Sequence, residues 1–141
     1  MTGSVTSGNI YDEDINFAIG TQTTFRQRYQ TGATTSGYDT AVTTTPVKLG
    51  VNNRPGMVDS SSYVWTQVAS APNRYVNYFV YASTTMLAPI HVFSETVPTA
   101  TITAGGYTSL ANARAVPLPN ISYYGLSPEF KPIYRLICRA D

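Results

Sequence analysis

The chain has 141 residues, a length that suits one domain with a full hydrophobic core. Its formal net charge is +1 and only 12% of its residues are charged, about half of the roughly 25% that is usual. So weak a field excludes proteins that rely on charge to hold nucleic acid, and no apolar run approaches the roughly 20 residues that cross a bilayer. We expect neither a nucleic-acid partner nor membrane insertion.

Threonine and tyrosine are the residues in excess. Threonine supplies about one residue in seven and there are 11 tyrosines, and both types pack well on a pleated sheet. Few charges and many small polar residues give surfaces that can be buried on assembly without a large cost of desolvating charge. The composition favours an all-β subunit of a larger assembly.

Residues 1–35 are predicted to form an extended N-terminal segment that docks onto another protein. Ile15, Phe17 and Ile19 alternate along the chain, as in a strand. Phe25 and Tyr29 lie four residues apart, which indicates a short helical turn. With so many apolar anchors, a solvent-exposed tail is the weaker alternative.

Residues 36–141 are predicted to form an antiparallel, jelly-roll-like β-sandwich with long loops, because short apolar runs alternate with turn residues. Pro46 marks the first strand as an edge or a bulge. A turn is expected at 52–56, and a long irregular connection at 107–132 contains one helical turn at 109–114. The predicted strands are 41–49, 63–68, 75–83, 90–94, 99–103 and 133–139.

The last predicted strand has an inward and an outward face. Its inward side chains are Tyr134, Leu136 and Cys138, and Arg135 and Arg139 stand on the other face beside Ile133 and Ile137. Cys138, the only cysteine, is interpreted as a small buried hydrophobe, and a reactive thiol or intermolecular disulfide is the alternative.

The strand predicted at 75–83 is apolar on both faces. In a small antiparallel sandwich one face normally meets solvent, so this strand lies either under loops of its own chain or in a subunit interface. We assign one of its faces to the interface of a homo-oligomer, with a trimer favoured. The residues of that face are Tyr75, Asn77, Phe79 and Tyr81.

No catalytic constellation is visible. The single histidine, His91, lies in an apolar strand near Ser94 and Glu95, and no nucleophile-elbow motif is present. One histidine and one cysteine do not make a zinc site. The acidic run 12–14 lacks the glycine and the final glutamate of a calcium loop, so a solvated turn is the preferred interpretation. We expect a protein that is not an enzyme and holds no metal or cofactor.

Sugar binding is the alternative that the aromatic residues support. Exposed aromatic rings can stack on the apolar face of a sugar, and four rings lie in or near predicted loops. The competing interpretation is that they fill the core or a subunit interface, where such residues are also enriched. The four are Trp65, Tyr107, Tyr123 and Tyr124.

Two stretches resemble phage tail-fibre and tail-appendage proteins. They are YFVYAS at 78–83 with API at 88–90, and LSPEFKPIYRLICR at 126–139, so the resemblance covers residues 75–141. It implies a trimeric β-sandwich module on the tail or capsid exterior of a virion, with structural and receptor-contacting roles, whose N-terminal segment contacts other virion proteins. Alternatives are a capsid decoration or head-fibre protein, a module that binds cell-surface glycans, and a small glycan hydrolase.

Overall fold

The computed structural model describes residues 2–12, 15–50, 54–67, 73–84 and 87–140. It is mostly β-sheet, with 45% strand and 12% helix, which confirms the all-β prediction. The strands are β1 (Gly8–Asp12), β2 (Ile15–Ile19), β3 (Arg26–Gln30), β4 (Ser36–Tyr38), β5 (Gly56–Asp59), β6 (Trp65–Gln67), β7 (Arg74–Ala82), β8 (Ile90–Ser94), β9 (Thr96–Val97) and β10 (Lys131–Ala140). The helices are α1 (Thr99–Thr103), α2 (Leu110–Ala115) and a 3₁₀ helix (Ile121–Tyr124).

A five-stranded sheet of order β10-β7-β8-β3-β4 forms the centre of the fold. The hairpin β1-β2 and a three-stranded sheet of order β6-β5-β9 accompany it. β3 runs parallel to β8, and β5 parallel to β9. The prediction of antiparallel pairing is therefore wrong for these two pairs, because the partner strands are distant in sequence and no hairpin dictates their direction.

Alternate side chains of β7 point into two separate cores, one on each face of the central sheet. Val76, Tyr78 and Val80 belong to the first core, which includes residues of the hairpin and of β5 and β9. Phe79 and Tyr81 belong to the second core. Residues from 107–130, which we call the cover, close the second core. Burial on both faces explains why the sequence of β7 is apolar without alternation.

Part of the predicted N-terminal docking segment lies inside the fold. β3 is a strand of the central sheet, and Ile10 and Ile19 of the hairpin are buried in the first core. The boundary at residue 35 thus does not separate this segment from the packed structure. The helical turn predicted from Phe25 and Tyr29 is also wrong, since hydrogen bonding to β8 and β4 holds residues 26–30 extended.

The segment 99–103 forms helix α1 and not the predicted strand. Pro98 precedes the helix with φ −59° and its carbonyl accepts from Thr101 and Ile102. Ile102 is the only buried side chain of this helix, so the local turn prevails over the strand preference of threonine. The predicted helical turn at 109–114 is confirmed as α2, which Ser109 caps by accepting from the amide of Asn112.

The other predicted strands differ in outcome. Strands 75–83, 90–94 and 133–139 are confirmed as β7, β8 and β10, and β6 covers part of 63–68, whose Val68 lies outside the described residues. In the stretch 41–49 only isolated bridges form, Thr43 with Phe25 and Leu49 with Pro55. Of the turn predicted at 52–56, residues 52 and 53 lie outside the described residues, Pro55 forms the bridge with Leu49, and Gly56 already begins β5.

A register shift between Pro132 and Tyr134 alters the predicted face of Ile133, while Tyr134, Leu136 and Cys138 share one face of β10 as predicted. Ile133, predicted to lie beside the arginines, packs against the first core. Leu136 and Cys138 pack against the same core, as predicted, but Tyr134 is 54% exposed. A bulge of this kind cannot be read from the alternation of residue types, because it moves the pattern by one position.

The hydroxyl of Tyr78 joins the central sheet to β5. It accepts from the amide of Gly56 at 2.9 Å and lies 2.6 Å from the carbonyl of Gly56, with the carbonyl of Lys48 at 3.1 Å. We expect Tyr78→Phe to lower the free energy of unfolding by about 1–3 kcal/mol, because buried backbone groups then lose their partner. Chemical denaturation would measure this. Tyr123→Phe, a change on an exposed ring, is the matched control, and an equal loss in both variants would contradict the prediction.

Candidate functional site

The predicted interface residues of β7 are covered by the chain itself. Asn77, Phe79 and Tyr81 are buried, and the amide nitrogen of Asn77 donates to the carbonyl of Ala113 in α2 at 3.0 Å. The backbone of Tyr75 pairs with that of Tyr107. Of the two alternatives for this face, covering by the chain's own loops is the one observed. The interface assignment is therefore corrected for Asn77, Phe79 and Tyr81, since the cover already occupies the position a second subunit would take. For Tyr75, which is half-buried, it stays a prediction.

Aromatic rings fill the second core. Phe93 lies 4.9 Å from Tyr81 and 4.9 Å from Tyr124, measured between ring centroids. Tyr124 is only 2% exposed, its hydroxyl donates to the carbonyl of Ser94, and burial raises its pKa to about 12. Tyr124 therefore fastens the cover to the sheet, and its ring offers no face to a sugar.

The other three rings proposed for sugar binding have separate surroundings. Trp65 is half-buried, with the ammonium of Lys48 5.7 Å from its ring centroid. Tyr107 is half-buried and donates to Glu95, whereas Tyr123 is exposed. Within the described part of the chain these contacts do not gather the four aromatics into one surface, and sugar stacking by Trp65 or Tyr123 stays a prediction.

Ser83 and His91 are the pair closest to a hydrolytic arrangement. Their Oγ and Nε2 atoms lie 3.5 Å apart, and Arg28 Nε donates to His91 Nδ1 at 2.9 Å. Because Nδ1 accepts, the proton of the neutral ring must be on Nε2, the nitrogen that faces the serine. In a catalytic triad the orienting carboxylate accepts from Nδ1 and leaves Nε2 free to take the proton of the nucleophile. Here the orienting group is a donor, so His91 cannot act as a general base toward Ser83.

Burial also keeps His91 uncharged. Desolvation, with added repulsion from Arg28 and Arg26, lowers the pKa of His91 to about 4. The ring packs edge-on against Phe130 with centroids 4.9 Å apart. These contacts agree with the interpretation made from the sequence, in which His91 is a structural residue of an apolar strand.

A cation–aromatic cluster lies beside His91 at the β3–β4 end of the sheet. The guanidinium carbons of Arg26 and Arg28 lie 5.2 and 5.1 Å from the centroid of Tyr38. Arg28 also lies 5.9 Å from the ring of Phe130, and Arg26 donates to the carbonyls of residues 39 and 40. These contacts hold β4 and the end of the cover against the sheet.

Arg135 fastens the other end of the cover. Its Nη1 and Nη2 atoms donate to the carbonyls of Arg114 and Val116 at 2.7 Å each, at the C-terminal end of α2, and its guanidinium carbon lies 5.1 Å from the ring of Phe79. A cation in this position satisfies carbonyls that the helix leaves unpaired. The sequence predicted the face of β10 on which Arg135 lies. It did not predict the hydrogen bonds to α2, because their acceptors are backbone carbonyls, which every residue has.

Sequence reasoning missed the buried polar group formed by Glu95, Asn77 and Tyr107. Glu95 is 5% exposed and Asn77 is fully buried, and the hydroxyl of Tyr107 donates to Glu95 Oε1 at 2.5 Å. Burial raises the pKa of Glu95, although hydrogen-bonding groups of Tyr107 and Asn77 and the charge of Arg135 act in the opposite direction. The sequence feature that could have indicated this group is an asparagine inside one apolar strand and a glutamate directly after a second apolar strand.

Cys138 is half-buried against the first core, and desolvation raises the pKa of its thiol to about 11. A thiol with so high a pKa is almost entirely protonated at neutral pH and is a poor nucleophile. This environment favours the interpretation of Cys138 as a small apolar core residue.

No group of three or more metal-ligating side chains occurs among the described residues. Glu13 and Asp14 of the acidic run lie outside them, so that prediction stays untested. In the same ranges no helix is long and apolar enough to cross a membrane. Comparison with known protein families, curated proteins and solved structures found no significant match.

Proposed function

We propose that this chain is a structural subunit of a virus particle, of phage tail-fibre or tail-appendage type, that assembles into a homo-oligomer with a trimer favoured. The observation that carries this proposal is the long edge strand β10. It has ten residues, it pairs with β7 on one side, and no described strand pairs with its other side. The tail-fibre resemblance includes this same strand.

An edge strand presents backbone donors and acceptors to any further strand that approaches it. Lys131, Pro132 and the register shift protect the beginning of β10, as charges, prolines and bulges do in natural edges. Beyond the shift, the exposed ring of Tyr134 lies next to the N-terminal residues 5–10. This part of the strand and its neighbouring N-terminal segment form the surface that we assign to subunit contact.

We further propose that the protein is not an enzyme. The hydrogen bond from Arg28 to Nδ1 of His91 supports it, because that bond leaves the Ser83–His91 pair without a general base. We also propose that the fold is a sandwich of jelly-roll type, that the N-terminal segment attaches to other virion proteins, and that the protein contacts a host glycan. A capsid decoration or head-fibre protein is the alternative.

Light scattering after size-exclusion chromatography tests the assembly directly. We expect a particle of three times the 15.3 kDa chain mass and a dissociated monomer for Tyr134→Lys, since a charge buried at a subunit contact is costly. The control is Tyr123→Lys, which places the same charge on another exposed tyrosine. An oligomer that survives Tyr134→Lys would exclude this edge as the contact, and a monomeric wild-type protein would overturn the proposal.

A further inference from the structure

Two oxygen atoms in the buried polar group have no hydrogen-bond donor among the described residues. They are Oε2 of Glu95 and Oδ1 of Asn77. Both side chains are essentially inaccessible to solvent, and a buried acceptor without a donor is costly. Two such atoms on neighbouring side chains call for a shared explanation.

The donors of the group do not form hydrogen bonds to these two oxygens. The amide nitrogen of Asn77 donates to the carbonyl of Ala113, and turning this amide over would place its oxygen against that carbonyl, where neither atom can donate. The hydroxyl of Tyr107 donates to the other carboxyl oxygen of Glu95, Oε1. The second N–H of the Asn77 amide and the backbone N–H of Asn77 act on Glu95 and lower its pKa, but neither makes a hydrogen bond to Oε2, and Oδ1 of Asn77 also lacks a donor. A hydroxyl on Glu95 is one donor that would satisfy both oxygens.

We propose that Glu95 is protonated in the folded protein and that its Oε2 hydroxyl donates to Oδ1 of Asn77. A single proton then satisfies both oxygens. The result is an uncharged chain of hydrogen bonds that runs from Tyr107 through Glu95 and Asn77 to Ala113. Because Tyr107 and Ala113 belong to the cover, this chain ties the cover to β7 and to the end of β8.

The surroundings of Glu95 favour the neutral form. Desolvation raises its pKa, and the cation that acts on it is Arg135, whose guanidinium donates to the carbonyls at the end of α2. Asn77 and the phenols contribute no charge at neutral pH, since burial also raises the pKa of the phenols. The groups of the described chain that act on Glu95, or on which it acts, are Asn77, Tyr78, Tyr107, Tyr124 and Arg135.

The tie is consequently sensitive to pH. A carboxyl group whose pKa is higher in the folded than in the unfolded chain contributes stability that is complete below the unfolded value, about 4.3, and is lost as the pH rises through the folded value. Deprotonation would place two unpaired acceptors and one charge under α2. We expect the cover to loosen from the sheet before the first core is affected.

The test combines carbon NMR of the wild-type carboxyl groups with denaturation of two variants. Glu95→Gln keeps an acceptor for Tyr107 and supplies a permanent donor for Asn77, whereas Glu129→Gln removes an exposed carboxylate from the same chain. The carboxyl carbon of Glu95, assigned by its absence in Glu95→Gln, should titrate at a higher pH than the unfolded value of about 4.3.

The denaturation midpoints of the wild-type protein and Glu95→Gln should diverge as the pH rises. At pH 4 the wild-type protein and Glu95→Gln should unfold at similar denaturant concentrations, and as the pH rises the wild-type midpoint should fall relative to that of Glu95→Gln. Glu129→Gln should follow the wild type. Two results would overturn the proposal. One is a carboxyl carbon signal showing that Glu95 is ionised at every pH measured, and the other is a Glu95→Gln protein that is less stable than the wild type by the same margin at every pH.

Discussion

Phe93→Ala is expected to lower the free energy of unfolding by about 3–5 kcal/mol, the usual cost of removing a large buried ring. Phe93 is completely buried and contacts both Tyr81 of the sheet and Tyr124 of the cover. Its removal leaves a cavity at the centre of the second core. Collapse into this cavity is opposed because strand pairing holds Tyr81 and the hydrogen bond to the carbonyl of Ser94 holds Tyr124. Urea denaturation followed by circular dichroism would measure the loss.

The matched control is Tyr123→Ala, which deletes an exposed ring from the residue next to Tyr124. Surface changes of this kind alter stability by at most about 0.5 kcal/mol. Hydrogen exchange would add a structural readout, since faster exchange in the cover than in the first core should accompany Phe93→Ala. A loss below about 1 kcal/mol would mean that the cover does not pack on Phe93 as described.

The second large effect is a loss of stability in mild acid caused by His91. Its pKa is about 4 in the folded protein against an ordinary value of 6.5, so the neutral ring is preferred in the folded state. A group whose pKa is lowered on folding contributes stability that is complete above the unfolded value and is lost as the pH falls toward the folded value. Between pH 7 and pH 4 this contribution amounts to about 3 kcal/mol.

His91→Asn isolates the effect, because its side-chain oxygen can accept from Arg28 in place of Nδ1 and it does not titrate. The variant loses packing against Phe130 and is expected to be less stable at pH 7. The informative quantity is the change with pH: the gap between wild type and variant should narrow as the pH falls from 7 to 4. A constant gap would show that His91 keeps an ordinary pKa in the folded protein.

The sequence predicted the elements whose pattern is local. β7, β8 and β10 are predicted from continuous or alternating apolar residues, and α2 from the helical turn expected at 109–114. The prediction failed at β3, where spacing suggested a turn, and at α1, where threonines suggested a strand. In both places a contact distant in sequence, or the turn set by Pro98, outweighed a weak local preference.

The candidate site shows the same limit. The histidine, the glutamate and the aromatics were visible in the sequence, but their relations were not. The donor from Arg28 that sets the tautomer of His91 comes from 63 positions earlier in the chain, and Asn77 reaches the carbonyl of Ala113 36 positions later. Residue types and spacing do not encode which nitrogen of a ring accepts or which oxygen lacks a donor.

What the sequence determined by itself was the class of the protein, mostly β-sheet with few charges, and the central strand that must be covered on both faces. These follow from residue composition and from the two-residue repeat of a strand, which are properties of the chain alone. Only the tertiary structure decided that the chain's own residues 107–130 provide the second covering, that two strand pairs are parallel, and that β10 is left as an edge. Those outcomes depend on which distant segments bury apolar surface together, and that choice is made by the packing of the whole chain.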